Sequence, residues 1–238
     1  MNFLLRIIDG ASQTMVRSRG DTEEDLEDGS GERAETRALD TLCLGLGLLT
    51  NLVQVVKEAK EVLREIRMSF YLPNSFFAHA LPIGLNPSCA LKKRVCARRC
   101  TCSPSSNGLD ILVSIYIAQG LKTESSESSP PADATEAEAD ASFLRGHLAV
   151  LFGLLMSENP ENQSKILESL PLPTSATSSR VQKNKTGNRV KLSRLAEQAR
   201  DFVAFYAAIN GHSEEGERES KIAKSVVRFL EKQRDAAM

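Results

Sequence analysis

The chain has no tryptophan, three tyrosines and three histidines among 238 residues, and aromatic side chains make up only 5% of it. No aromatics interleave with the basic residues over 92–99, as a single-stranded nucleic-acid platform would need in order to stack bases. So few rings also leave leucine, valine and alanine to build the core, which suits helices. An excess of either charge is missing too: the formal net charge is −1. No global field therefore calls for nucleic acid or an anionic membrane as partner. No run reaches membrane-spanning length without a charge. Met1–Gly10 (MNFLLRIIDG) is not a signal peptide, because its apolar run is broken by Arg6 and ends at Asp9 with no small-residue cleavage pattern. The expectation is an intracellular chain whose five cysteines are reduced. Alternating strand patterns are absent as well, so an all-α class is expected.

What the chain has is leucine at helical spacing. Leu39, Leu42, Leu46, Leu49, Val53, Val56 and Leu63 recur at steps of three and four, broken only at Lys60. This predicts a helix from about Glu35 to Ile66, with an internal break, that packs along one stripe. Gly45 and Gly47 interrupt it, each costing about 1 kcal/mol relative to alanine. A helix that keeps both is expected to need a neighbouring backbone close by.

The rest divides by composition. Residues 1–34 read as a remnant helix (Asn2–Ile8) followed by an acidic flexible loop, and 35–238 as a helical domain with three interruptions. The first is an irregular insertion over 67–106, with prolines at 73, 82, 87 and 104 and no sustained period. Within it, Met68–Gly84 reads as a translated intron, since Arg67-Met68-Ser69 can be encoded with GTATGT. A spliced message that still encodes this segment would refute that. The second interruption is a disordered acidic insertion over 122–140 (KTESSESSPPADATEAEAD), and the third a basic loop over 172–188. Between them, Asn107 caps a short helix to Leu121. Asp140–Met156 forms a strong helix with Phe143, Leu144, His147, Leu148, Leu151, Leu154 and Leu155 on its buried face. Asn159 and Pro160 open the next helix, which Pro171 stops. Arg189–Ile209 and Glu219–Arg234 close the chain as amphipathic helices. Paired helices of this kind imply a stack of armadillo/HEAT type, each pair burying its face on the next.

The decamer Leu44–Val53 (LGLGLLTNLV) resembles a segment of the C-terminal domain of the wings apart-like family, the cohesin release factors. Three further blocks are similar in the same order: Asn107–Ile117 (NGLDILVSIYI), Phe143–Pro171 (FLRGHLAVLFGLLMSENPENQSKILESLP), and Leu195–Ile209 with Ser220–Lys232. Together they cover roughly the second half of that family's helical-repeat domain, which implies a C-terminal piece of such a protein or a truncated gene model. The resemblance implies the same armadillo/HEAT-like fold. It further implies a non-enzymatic, nuclear, chromatin-associated protein that contacts the cohesin ring subunits, works with their HEAT-repeat regulator, and promotes release of cohesin from chromatin. No cofactor and no small-molecule substrate are implied. Two other readings stand beside it: a generic helical-repeat scaffold for an unrelated protein, and a small nucleic-acid-associated module.

Side chains with chemical potential are few. Cys89, Cys96, Cys100 and Cys102, with His79 nearby, lack the paired two-to-four-residue spacing of a zinc knuckle and read as reduced loop thiols. Lys92, Lys93, Arg94, Arg98 and Arg99 form one basic cluster, and Arg180, Lys183, Lys185, Arg189 and Lys191 a second. Either would contact phosphate, or simply be solvated charge. His147, among leucines, reads as a core or groove histidine rather than a catalytic base, with no second titratable group placed to orient it. No nucleophile elbow, phosphate loop or metal-ligand helix is present, so nothing supports an enzyme. The partner-binding candidates are Asp140, Phe143 and Arg145, at the entry of the best-matched helix beside a mobile tether, with Glu161 and Lys165 on the outer face of the next one. The bland alternative is that Phe143 packs in the core and the charges are solvated.

Overall fold

The computed structural model describes residues 1–18, 30–68, 106–119, 136–172, 183–210 and 214–237. The described residues are all-helical apart from a two-residue ladder. In chain order they form α1 (Asn2–Ser18), α2 (Ser30–Val55), α3 (Ala59–Glu65), β1 (Arg67–Met68), β2 (Ser106–Asn107), α4 (Gly108–Ala118), α5 (Glu136–Met156), α6 (Pro160–Ser169), α7 (Lys183–Asn210) and α8 (Glu214–Ala236). The antiparallel ladder pairs Arg67 with Asn107 and Met68 with Ser106, so the chain at Met68 and the chain at Ser106 lie side by side. The expected intron, the cysteine cluster, the first basic cluster, His79 and His212 all lie outside the described residues, as does most of the acidic insertion.

The α2 stripe packs as its spacing predicts. Leu42, Leu46 and Leu49 are fully buried and Val53 nearly so. The break falls at residues 56–58, which turn the chain into α3, and Val56 is exposed there. Lys60, the one gap in the stripe, turns its ammonium away from the core to donate to the Ser157 carbonyl at 2.8 Å. The two glycines behave differently from each other. A Cβ at Gly45 would stand 2.7 Å from Ile8 Cγ1, so its absence lets α1 lie against α2. The close neighbour is a side chain rather than the expected backbone. A Cβ at Gly47 would meet nothing within 4 Å.

Several boundaries differ from the sequence reading: α2 begins at Ser30, inside the expected acidic loop, and α8 at Glu214, five residues before Glu219. Helix α1 continues past Ile8 because Ala11, Ser12 and Met15 extend the buried stripe of Leu5 and Ile8. Gln13 also donates to the Asp9 carboxylate at 2.7 Å across one helical turn. Helix α5 starts at Glu136, inside the expected disordered insertion, where acidic residues suit the positive end of the helix dipole. Helix α7 starts at Lys183, inside the expected basic loop, and Gly187 is buried beside Leu172.

Helix α5 is the hub, packing against α2, α4, α6, α7 and α8. Leu148, Ala149, Val150, Leu151, Phe152 and Gly153 are buried in succession, so the helix is enclosed all round rather than along one face. Two glycines set its distances to neighbours. A Cβ at Gly146 would lie 2.8 Å from Phe202 Cβ on α7, and a Cβ at Gly153 would collide with the Val226 side chain on α8. Helices α7 and α8 run antiparallel, placing Arg189 near the start of one beside Arg234 and Asp235 at the end of the other.

Both predicted caps form. The Asn107 side chain accepts from the Asp110 amide at 2.9 Å, and the Asp110 carboxylate accepts from the Asn107 amide, closing a capping box. Asn159 accepts from the Asn162 amide at 3.0 Å, with Pro160 in the first turn.

Candidate partner-docking site

Gly146 brings the first half of α5 against α7, and the rings on both sides of that contact meet. Phe143 lies 5.4 Å from Phe202 and 5.3 Å from Phe205, centroid to centroid, while Phe202 stacks on Tyr206 at 5.8 Å. The His147 ring is 5.2 Å from Phe202 and 6.3 Å from Phe143. These offset and edge-on geometries are the favoured ones for aromatic pairs. Phe205, at the rim, is 49% exposed.

His147 ties this cluster to α2. Its Nε2 lies 3.3 Å from Thr50 Oγ1, and its Nδ1 is buried with no hydrogen-bond partner. Burial pushes its pKa from the usual 6.5 down to about 4, so the ring is neutral at physiological pH. The neutral ring packs between Phe143 and Phe202 and reaches Thr50, joining α5 to α7 and α2.

The five candidate residues are not gathered on one surface. Phe143 belongs to the aromatic cluster. Asp140 lies on the α2 side, where burial together with the carboxylates of Asp40 and Asp140 pushes the Cys43 thiol up to about 11. Arg145 points to α4, where Nη1 donates to the Gln119 carbonyl at 3.3 Å. The physical reason is rotation: residues two apart on a helix stand about 200° apart, so Phe143 and Arg145 face opposite ways. Glu161 pairs with Arg64 of α3, and the Lys165 ammonium is 3.5 Å from the Asp110 carboxylate of α4. Both charges thus join α6 to its neighbours within the fold. As partly exposed pairs they contribute at most about 1 kcal/mol each.

The joint beside them rests instead on Asn162, which is fully buried. Its Nδ2 donates to the Lys60 carbonyl at 3.1 Å and to the Leu155 carbonyl at 3.2 Å, linking α3, α5 and α6. Asn162→Ala removes both bonds and leaves a void at the joint. The expected loss is about 2 kcal/mol, read as a lower urea midpoint at unchanged slope.

Of the second basic cluster, Lys191 is spent inside the fold, donating to the Leu167 carbonyl at the end of α6. Arg189 lines an open groove of about 370 Å³ with Thr186, Val190, Ser193, Arg234 and Asp235. Arg234 there is paired with Asp235 at 2.9 Å. Among the described residues no three His, Cys, Asp or Glu side chains stand together as a metal site would require. Two stretches, Glu35–Val55 and Glu138–Met156, are long and apolar enough to cross a membrane by length and composition. The second lies in the hub helix, and 56% of it is buried inside the fold. The first is two-sided, one face packed and one face open.

Phe205 is the exposed aromatic of this cluster that sequence reading misses. The packed side of α7 is marked by Leu192, Leu195, Ala199, Phe202 and Val203, and Phe205 stands at its edge. An aromatic just off an otherwise regular apolar stripe is the signal that would have found it. No protein-family model, no curated protein and no solved structure matches this chain.

Proposed function

We propose that this chain is a non-enzymatic, protein-binding helical module of the wings apart-like kind, which docks on cohesin with its HEAT-repeat regulator and promotes release of cohesin from chromatin. The partner and the nuclear, chromatin-associated setting follow from the resemblance of the four sequence blocks. The observation that supports a docking role is the half-exposed Phe205, packed on Phe143 at the rim of a ring cluster that continues through Phe202 to Tyr206. Rigid aromatics at the rim of a packed cluster are what protein interfaces use as anchors. The action is binding energy spent on one conformation of the ring, with no chemistry in this chain. The contacting pairs α1–α2 and α7–α8, with α5 packed against α2, α7 and α8, support reading the fold as a partial armadillo/HEAT-like stack. A generic scaffold for another protein is the alternative, and the same experiment separates the two.

That experiment is capture of assembled cohesin, with and without the HEAT-repeat regulator, by the full chain. Phe205→Glu serves as control, since Phe205 is exposed enough to be replaced without opening the core. Stoichiometric capture that weakens at least about thirtyfold in the variant, as an interface anchor of about 2 kcal/mol requires, is the expected result. Absence of capture by a chain folded by circular dichroism would leave the generic scaffold. Equal capture by the variant would place the docking surface elsewhere.

A further inference from the structure

Helix α2 carries a second seam opposite its packed one, half of it apolar. Arg37, Thr41, Leu44, Leu48, Asn51 and Val55 recur at steps of four, three, four, three and four, and every one is exposed. Leu44 is 76% exposed, Leu48 59% and Val55 82%. Alternating steps of three and four are the spacing of a helix that packs on another helix. Gly47 sits beside this seam, next to Leu44 and Leu48. Nothing inside the fold needs its missing side chain, since a Cβ there would meet no atom within 4 Å. Glycine is costly in a helix interior. Its neighbour Gly45 has an internal reason, the close approach of Ile8, and Gly47 has none.

We infer that the outer face of α2 is a self-association surface, on which a second copy of this chain packs its own α2 in antiparallel sense about a two-fold axis level with Leu46. The order of polarity along the seam argues for a second copy. Leu44 and Leu48 stand two residues either side of Leu46, and Thr41 and Asn51 five either side. An antiparallel pair therefore sets leucine on leucine twice, hydroxyl on amide twice and, nine residues either side of Leu46, the Arg37 stem on Val55 twice, in an isologous contact. The Thr41 hydroxyl already donates to the Arg37 carbonyl at 2.7 Å, so its oxygen accepts from the amide of the facing Asn51. Gly47 lets the two backbones approach at the centre. A bilayer fits less well, because Arg37, Asp40, Thr41 and Asn51 would enter it with the leucines. The seam is about 27 Å long by helical rise. At about 10 Å wide it covers roughly 300 Å² per copy, below the roughly 800 Å² per partner of a standard interface. The dimer is therefore weak and reversible. This inference does not rest on the proposed cohesin partner, and its test reads mass rather than capture.

The test is sedimentation equilibrium of the full chain from about 10 to 500 μM, a range in which a weak, reversible dimer is populated. The expected result is a reversible monomer–dimer equilibrium that Leu48→Glu abolishes while helicity is unchanged. Gly47→Ala gives a second, independent reading. It raises the melting temperature of the dilute monomer by about 2–4 °C and weakens self-association at least tenfold. A dimer untouched by both substitutions overturns the inference. So does a monomer at every concentration, whether or not it co-sediments with phosphatidylcholine vesicles.

Discussion

Acidification from pH 7 to pH 4 will cost this fold about 3 kcal/mol through His147 alone. In the unfolded chain the imidazole takes up its proton near 6.5, but in the folded chain only near 4. Between those values the unfolded state binds more protons, so stability falls as pH drops through that window. It is fully present above about 6.5 and fully lost below about 4. The structural cause is that imidazolium needs two acceptors, whereas the site offers Thr50 to Nε2 and nothing to the buried Nδ1. Urea titrations of the native chain and of His147→Phe at several pH values check this. The substitution keeps an aromatic ring beside Phe143 and Phe202, so the variant should retain the fold and lose most of the slope between pH 6.5 and 4. Parallel slopes in the two proteins would place the acid sensitivity in other groups.

Phe152→Ala is expected to cost about 3–5 kcal/mol, enough to remove a large part of a typical domain's stability. Phe152 is fully buried in the hub helix and meets the edge of Tyr116 on α4 at 5.7 Å. Tyr116 cannot swing in to fill the void, because its hydroxyl donates to Gln198 Oε1 at 2.6 Å. The cavity would therefore stay largely open, and cavity volume sets the cost. Phe152→Leu keeps most of the volume and should cost under about 1.5 kcal/mol. Chemical denaturation of the three proteins decides it. A small loss in Phe152→Ala would mean that α4, α5 and α7 can collapse together, contrary to the anchoring by Tyr116.

Local signals were legible in the sequence, while distant ones were not. Asn107 and Asn159 cap helices as their positions predict, because a cap depends on three or four neighbouring residues. The stripe from Leu42 to Val53 is buried as its period predicts, because an apolar face must be covered. The starts of α5 and α7 were hidden, since the polar residues over 136–139 and 183–188 carry no period, and their helices continue from packed segments downstream. Of the docking candidates, Phe143 stands in a cluster that presents surface, while Arg145, Glu161 and Lys165 reach other helices. Sequence marks a charged side chain as available, but only the fold says which neighbouring helix takes it up.

Those cations have a common target. Lys60 reaches a carbonyl just past the end of α5, Lys191 one at the end of α6, and Arg145 one at the end of α4. A helix is not the same from both directions, since its first turn offers amide hydrogens and its last turn carbonyl oxygens. A cation can close on the last turn and is repelled by the first. Each of these three residues therefore distinguishes a neighbouring helix from the same helix laid in reverse, a distinction that leucine on leucine cannot make. In a core built almost wholly of small and branched aliphatic groups, the sense in which the helices run is written in three positive charges.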